Sequence, residues 1–294
     1  MFLNQQEKKK GPRDVRYAFF GTPHFAVGVL DQLEAEGFIP ARIITAPDKA
    51  RGRGMEIAPP PAKVWGTMHS IPVSQPEHID DDFIDMLGET RWDLFVVAAY
   101  RFILPQELLK IPLHGALNVH PSLLPRWRGP SPIQTAILND DGTGVSIMLI
   151  DDEIDHGPLL ASEVASLSVW PPKANELERI LASQGGKLLA SVIIPWVTKE
   201  LEAIPQDHSS ATFSKKTKTE DGLIDVSGDP HETFRKIQAY SDSPGAYFFV
   251  EKQRRQIRVK VTDATLTENT LTILRVIPEG KREMSYPDFM RENA

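Results

Sequence analysis

Two stretches of the chain hold side chains whose types and spacing could do chemistry. The first runs Asn118-Val119-His120-Pro121-Ser122-Leu123-Leu124-Pro125-Arg126-Trp127-Arg128-Gly129. Asn118 and His120 are two apart, so on a strand an amide and an imidazole leave the same face. Pro121, Pro125 and Pro130 then force an irregular path, and Gly129 permits a sharp turn. A polar pair at a strand end followed by a stiff loop is what a preorganised site requires. A single histidine is more often structural than catalytic, and residue types alone leave both readings open. The second stretch is Asp151-Asp152-Glu153-Ile154-Asp155-His156-Gly157-Pro158. Four acids and a histidine could bind a hard cation. Counted from Asp151, the sixth-position glycine and closing glutamate of such loops are missing, so a solvated acidic loop is the competing reading.

The elements that must position these residues follow from patterning. Arg16–Phe20 is a short apolar run stopped by Gly21, with Thr22 a candidate N-cap and Pro23 at the first helical position. Ala26, Val27, Leu30 and Leu33 follow at helical spacing. Further apolar runs lie at 41–47, 93–99, 116–119 and 142–150, with helices expected near 59–69, 77–88 and 131–139. This alternation predicts an open, mostly parallel Rossmann-like sheet covered on both faces, with ligands outside the carboxyl ends of the strands. A long helical stretch from about 174 to 201 is interrupted in pattern by Gly185-Gly186 and Pro195. Residues beyond about 220 change character: a helix over 229–240, then β-rich runs of even length, the pattern of a small barrel-like domain. The expected division is a mobile tail over 1–14, a catalytic domain over 15–203, a linker over 204–219 and a C-terminal β-barrel-like domain over 220–294.

Composition narrows the class. The 294 residues are 41% hydrophobic and 25% charged, ordinary for a globular protein. There is no cysteine, which excludes disulfides, thiol nucleophiles and Cys-ligated zinc. No apolar run approaches the roughly 18 residues of a membrane span, and the first residues lack the apolar core of a secretory signal; a cytoplasmic protein is expected. Net charge is −7, but residues 211–294 hold 14 Lys+Arg against 13 Asp+Glu. There Lys252, Arg254, Arg255, Arg258 and Lys260 could align on one face of a strand, either as an edge that resists aggregation or as a phosphate-binding surface. Gly21 is not followed by a G-x-G-x-x-G turn, which disfavours a dinucleotide oxidoreductase.

Residues 118–133, followed after seventeen residues by Asp151–Pro158, resemble the signature of the formyltetrahydrofolate-dependent formyltransferases. Arg126-Trp127-Arg128-Gly129 is similar to the methionyl-tRNA branch of that family rather than its sugar N-formyltransferase branch. So are Phe20–Phe25, the basic loop Ala46–Gly54, Asp221–Asp225 and Ile277–Met284. The resemblance covers residues 16 to about 292. It implies a formyltransferase fold, a catalytic trio at Asn118, His120 and Asp155, and N10-formyltetrahydrofolate as formyl donor with no metal. By the same resemblance Asn118 and a protonated His120 would stabilise the carbonyl oxygen, while Asp155 would hold the imidazole and relay a proton. The folate pocket would be lined by Val97, Ala98, Ile103, Leu104, Ser122, Leu123, Leu124, Pro125 and Asp152. The acceptor, initiator methionyl-tRNA, would meet Lys49, Arg51, Arg53, Arg128, Arg254, Arg255 and Arg258 of a monomeric enzyme supporting translation initiation.

Two departures from the family pattern stand out. Arg101 occupies a turn position where the family carries glycine, and the chain after Leu266 is shorter than in the tRNA branch, giving an apparently shortened C-terminal domain. Two other functions therefore remain open: formylation of another amine such as a nucleotide-linked aminosugar, and a folate- or RNA-binding relative without transfer activity or one that hydrolyses the donor.

Overall fold

The computed structural model describes residues 10–51, 56–252 and 254–292, excepting the side chains of Arg51 and Lys252. The elements are β1 (Tyr17–Gly21), α1 (His24–Ala35), β2 (Arg42–Ile44), β3 (Lys49–Arg51), β4 (Glu56–Ala58), α2 (Pro61–Met68), β5 (Val73–Ser74), α3 (Asp81–Gly88), β6 (Leu94–Ala98), α4 (Gln106–Leu109) and β7 (Ala116–His120). There follow α5 (Pro132–Leu138), β8 (Gly144–Leu149), β9 (Leu159–Val164), α6 (Ala174–Val197), α7 (Pro230–Ala239), β10 (Tyr247–Lys252), β11 (Arg255–Thr267), β12 (Thr270–Pro278), β13 (Met284–Ser285) and α8 (Tyr286–Arg291). The chain divides into two compact units. One comprises residues up to Arg128, Gly144–Ala165 and Arg179–Ala211; the other comprises Gly129–Thr143, Ser166–Glu178 and Thr212 onward. Both units are discontinuous in sequence.

The first unit is built on a seven-stranded sheet in the order β5-β2-β1-β6-β7-β8-β9. The strands from β5 to β7 pair in parallel, and β8 and β9 are antiparallel. Strand β1 is buried at every position, as a central parallel strand must be. Period two separates its faces: Ala18 and Phe20 join Phe95, Val97 and Ala116 in a cluster closed by Phe83, Leu87, Leu104 and Leu108 from α3, α4 and their flanks. Each such aromatic contributes on the order of 1.5–3 kcal/mol through burial. Asn118 and His120 share the parity of Ala116, so they continue this face to the carboxyl end of β7. Helix α3 starts where Asp80 accepts from the Phe83 amide at 3.0 Å, and α1 buries Phe25, Ala26, Val29, Leu30 and Leu33, a single apolar stripe.

Several local expectations change. Thr22 does not cap α1. Pro23 is the N-cap, and the Thr22 hydroxyl accepts from the Ala46 amide at 3.3 Å, tying the end of β1 to the end of β2. The tail expected over 1–14 is placed from Lys10 onward, where Lys10 pairs with Asp93 at 3.2 Å and Pro12–Asp14 form a 3-10 turn; residues 1–9 lie outside the described residues. Helix α6 runs through Gly185-Gly186 without a break. A Cβ at Gly185 would lie 2.5 Å from Val119 Cγ1, and one at Gly186 would lie 2.6 Å from the Gln32 Cβ. The pair lets α6 approach β7 and α1 closely rather than interrupting it. By length and composition α6 is also long and apolar enough to cross a bilayer; Leu181, Ala182, Leu189, Ile193 and Val197 are instead buried.

The second unit carries a four-stranded antiparallel sheet in the order β10-β11-β12-β13, with an isolated parallel bridge between Leu223 and Tyr247 at the β10 edge. The β-rich C-terminal region is thus built on a four-stranded antiparallel sheet. Helix α7, capped by Asp229 and led by Pro230, buries Thr233, Ile237 and Ala239. The basic run read as one strand is split: β10 ends at Lys252, β11 begins at Arg255, and these two residues pair across the hairpin.

Candidate active site

The carboxyl end of β7 and the loop between β8 and β9 bring the two polar stretches together within the first unit. Asn118 Nδ2 lies 3.5 Å from Asp155 Oδ1, and His120 Nδ1 lies 3.5 Å from the same oxygen. These are long for hydrogen bonds, as catalytic contacts often are before substrate binds. The His120 side chain is 5% exposed and that of Asp155 14% exposed. His120 Nε2 is 3.1 Å from the Trp127 carbonyl. A carbonyl only accepts, so Nε2 carries a hydrogen there and Nδ1 is the nitrogen that meets Asp155.

The proline loop is stapled to the sheet. The Ser122 hydroxyl donates to the Arg126 carbonyl at 2.6 Å. The Ser146 hydroxyl donates to the Ser122 carbonyl at 2.8 Å and accepts from the Leu124 amide at 3.0 Å. Trp127, at φ 58°, turns the chain so that its carbonyl reaches His120. The acidic loop is equally constrained. Asp151 bonds His156 Nδ1 at 2.7 Å and accepts from the Glu153 amide at 3.1 Å, so this carboxylate is spent on loop structure. Asp155 sits at φ 51°, in the left-handed region that few residues other than Gly, Asn and Asp enter readily. Among the described residues no group of three or more His, Asp or Glu side chains is placed to hold a metal ion.

Gly157 closes this loop against β8. A Cβ there would lie 1.9 Å from the Leu149 carbonyl oxygen, a backbone atom unable to yield. Replacing Gly157 with Ala is expected to cost about 3 kcal/mol or more and to lower the melting temperature by upwards of about 5 °C. An unchanged melting curve would mean the loop does not lie against β8.

The structure distributes the residues of the expected folate pocket unevenly. Val97 and Ala98 are sheet core at 8% and 0% exposure, and Leu104 and Leu124 are buried as well. Ser122 is fully buried and its hydroxyl donates to the Arg126 carbonyl. Leu123 and Pro125 are half-buried, whereas Ile103 and Asp152 are exposed. The positive φ in the turn after β6 falls on Ala99, at 50°, so Arg101 needs no glycine-like backbone. Its guanidinium lies over the Phe102 ring at 4.3 Å. Tyr100 packs edge-on against Phe20 and Phe102, and burial pushes its hydroxyl well above the ordinary tyrosine range. A separate depression lined by Arg16, Glu89, Thr90, Arg91 and Asp93 lies at the amino ends of β1 and β6, the wrong end of a parallel sheet for a ligand site.

Arg128 requires a correction. Expected as a contact to nucleic acid, it is 4% exposed and donates from Nε and Nη2 to Gln206 Oε1 at 3.2 and 2.7 Å. It is a buried structural cation. Lys49 is exposed on β3, the Arg51 side chain is not described, and Arg53 lies outside the described residues. The base of that basic loop is anchored by Asp48, which pairs with Lys63 at 2.7 Å and accepts from Gln75 at 2.7 Å. The Lys63 hydrogen bond, then that of Gln75, holds the Asp48 carboxyl below its usual range. Arg254 and Arg255 are exposed, while Arg258 is half-buried with its guanidinium 3.7 Å over the Tyr247 ring. Gln206 was missed by sequence reasoning: it sits in the aperiodic polar stretch read as a linker, and nothing in its neighbourhood signals burial.

Residues 15–193 match the family described as formyl transferase. The chain belongs to the formyl transferase family. Among its relatives, the methionyl-tRNA formyltransferase of Chloroflexus aggregans is 41% identical over 296 residues, spanning 92% of this chain and 95% of that one. The methionyl-tRNA formyltransferase of Methylococcus capsulatus is 35% identical over 301 residues, spanning 95% and 97%. The fold is shared with a solved N-formyltransferase from Helicobacter canadensis, in complex with folinic acid and dTDP-3-aminofucose. That match has a TM-score of 0.63 at 19% identity and covers 86% of this chain and 88% of that one. Methionyl-tRNA formyltransferase from Clostridium thermocellum matches with a TM-score of 0.60 at 14% identity, covering 92% and 99%. As a formyl transferase the chain is an enzyme of formyl transfer, and the cluster of Asn118, His120 and Asp155 lies inside the matched region.

Proposed function

We propose that this enzyme transfers the formyl group of N10-formyltetrahydrofolate to the amino group of initiator methionyl-tRNA. On this reading it is a cytoplasmic, monomeric protein that supports translation initiation. The observation that carries the chemistry is the convergence of Asn118 Nδ2 and His120 Nδ1 on one oxygen of Asp155 at the end of β7. The acceptor is carried by relatives named methionyl-tRNA formyltransferase that match this chain nearly end to end.

In the reaction the acceptor amine attacks the formyl carbon, and negative charge builds on its oxygen. Asn118 supplies an amide N–H to that oxygen. Asp155 accepts a proton from the attacking ammonium and passes it toward the departing folate nitrogen, so that one C–N bond forms and one breaks. His120 has Nε2 on the Trp127 carbonyl and Nδ1 on Asp155. Its role here is to brace the carboxylate, and the oxyanion contact expected of it falls to Asn118. The pterin would lie at the end of β6, against backbone of Val97 and Ala98 and the apolar side chains of Ile103 and Leu104, a mostly apolar pocket with few directed polar groups.

The test is an acceptor comparison: initiator methionyl-tRNA, uncharged tRNA and a nucleotide-linked aminosugar, each with N10-formyltetrahydrofolate. Transfer to methionyl-tRNA alone is expected; transfer to the aminosugar alone would overturn the acceptor. The exposed cations make a second expectation. Replacing Arg254 and Arg255 with Ala should weaken use of tRNA and reduce the slope of log affinity against log salt by roughly 1–2 for two phosphate contacts. The KM for the folate donor should not move. A salt slope equal to that of the parent would remove both arginines from the tRNA surface.

A further inference from the structure

Gln206 lies in a stretch with little regular structure, yet it is 5% exposed. Its amide works at both ends. Nε2 donates to the Asp155 carbonyl at 3.0 Å and to the Gly157 carbonyl at 2.7 Å. Oε1 accepts from Nε and Nη2 of Arg128. A guanidinium has no acceptor, so Arg128 dictates which way round the amide sits: the oxygen must face the cation and the NH2 must face the loop. Arg128 is itself located by His208, whose Nδ1 is 2.9 Å from Nη2, and the His208 ring stacks on His156 at 4.0 Å. The acidic loop is therefore held from its backbone side by a buried amide whose orientation is set by a buried cation.

Asp155 is the residue that needs such holding. Its φ of 51° is one that other L residues rarely keep, and its carboxylate must stay within reach of Asn118 and His120. We infer that Gln206 is a positioning residue for formyl transfer, clamping the peptides at Asp155 and Gly157 so that the Asp155 carboxylate meets the end of β7. The inference rests on the reaction proposed above for that carboxylate.

The decisive variant is Gln206→Glu. Glutamate keeps the shape of the side chain and the partner for Arg128, but it sets a carboxylate oxygen against two carbonyl oxygens where an NH2 had been. Displacing a reacting group by about 1 Å typically costs about 10²-fold in rate. The expected result is therefore kcat lowered roughly 10–100-fold, with KM for the folate donor and the acceptor unchanged; the loss of two buried hydrogen bonds also lowers the melting temperature, so kcat is read on enzyme shown to be folded at the assay temperature. The pH profile of kcat should also shift, because the carboxylate no longer faces the same partners. Arg128→Met removes the cation that holds the Gln206 oxygen, leaving the amide fixed only by the two loop carbonyls, and provides a second route should Gln206→Glu fail to fold; a smaller fall in kcat at constant KM is expected. A folded Gln206→Glu enzyme with parental kcat and pH profile overturns the inference, as does a rise in KM at constant kcat. A parent protein inactive on every amine would instead overturn the proposed reaction itself, so the two failures are distinguishable.

Discussion

Asp155→Asn is expected to reduce kcat about 10²–10⁴-fold, the range for loss of a positioned general acid–base group, while leaving affinity for the folate donor within a few-fold of the parent. Asparagine matches aspartate in shape. The backbone bond from Gln206 to position 155 does not involve the side chain and survives the change. What disappears is the negative charge facing Asn118 and His120 and the capacity to accept a proton. Donor binding is assigned chiefly to the end of β6 and its flanking apolar residues. Single-turnover rates measured beside donor affinity by fluorescence separate the two effects. A parental rate would take Asp155 out of the mechanism, and a collapse of donor affinity would move it into the folate pocket.

Asn118→Ala is the second large effect. Removal of one donor to a developing oxyanion costs on the order of 10²–10³ in kcat, or about 3–4 kcal/mol. The charge it stabilises exists only in the transition state, so KM should hardly change. Stability should change little too, because Asn118 is half-buried and its contact to Asp155, at 3.5 Å, is at the limit of a hydrogen bond. Steady-state kinetics with a thermal melt distinguishes this from simple loss of fold. A fall confined to KM would mean that position 118 binds the ground-state substrate and not the transition state.

The parts of this protein that sequence made legible are those written in short-range patterns. Short apolar runs marked β1, β6, β7 and β8, and the two-residue spacing of Asn118 and His120 put both on one face of a strand. The approach of Asp155 across 35 residues was not readable from spacing; it came from resemblance, and the structure brings the three side chains together. Contacts that depend on burial were misread. Resemblance alone places Arg128 against nucleic acid, and its partners Gln206 and His208, distant in sequence, hold it inside the fold instead. The glycine pair in α6 looked like a helix break because local propensity says nothing about how closely β7 and α1 must approach. The basic run at 252–260 looked like one strand because alternation cannot show where a hairpin turns.

The most direct test is a crystal structure with a formylated tetrahydrofolate bound. The formyl oxygen should lie within roughly 3 Å of Asn118 Nδ2, the distance of an oxyanion donor, with Asp155 facing the formyl carbon from beside His120. A folate seated elsewhere, such as in the depression between Arg16 and Asp93, with its formyl group remote from the end of β7, would contradict the account.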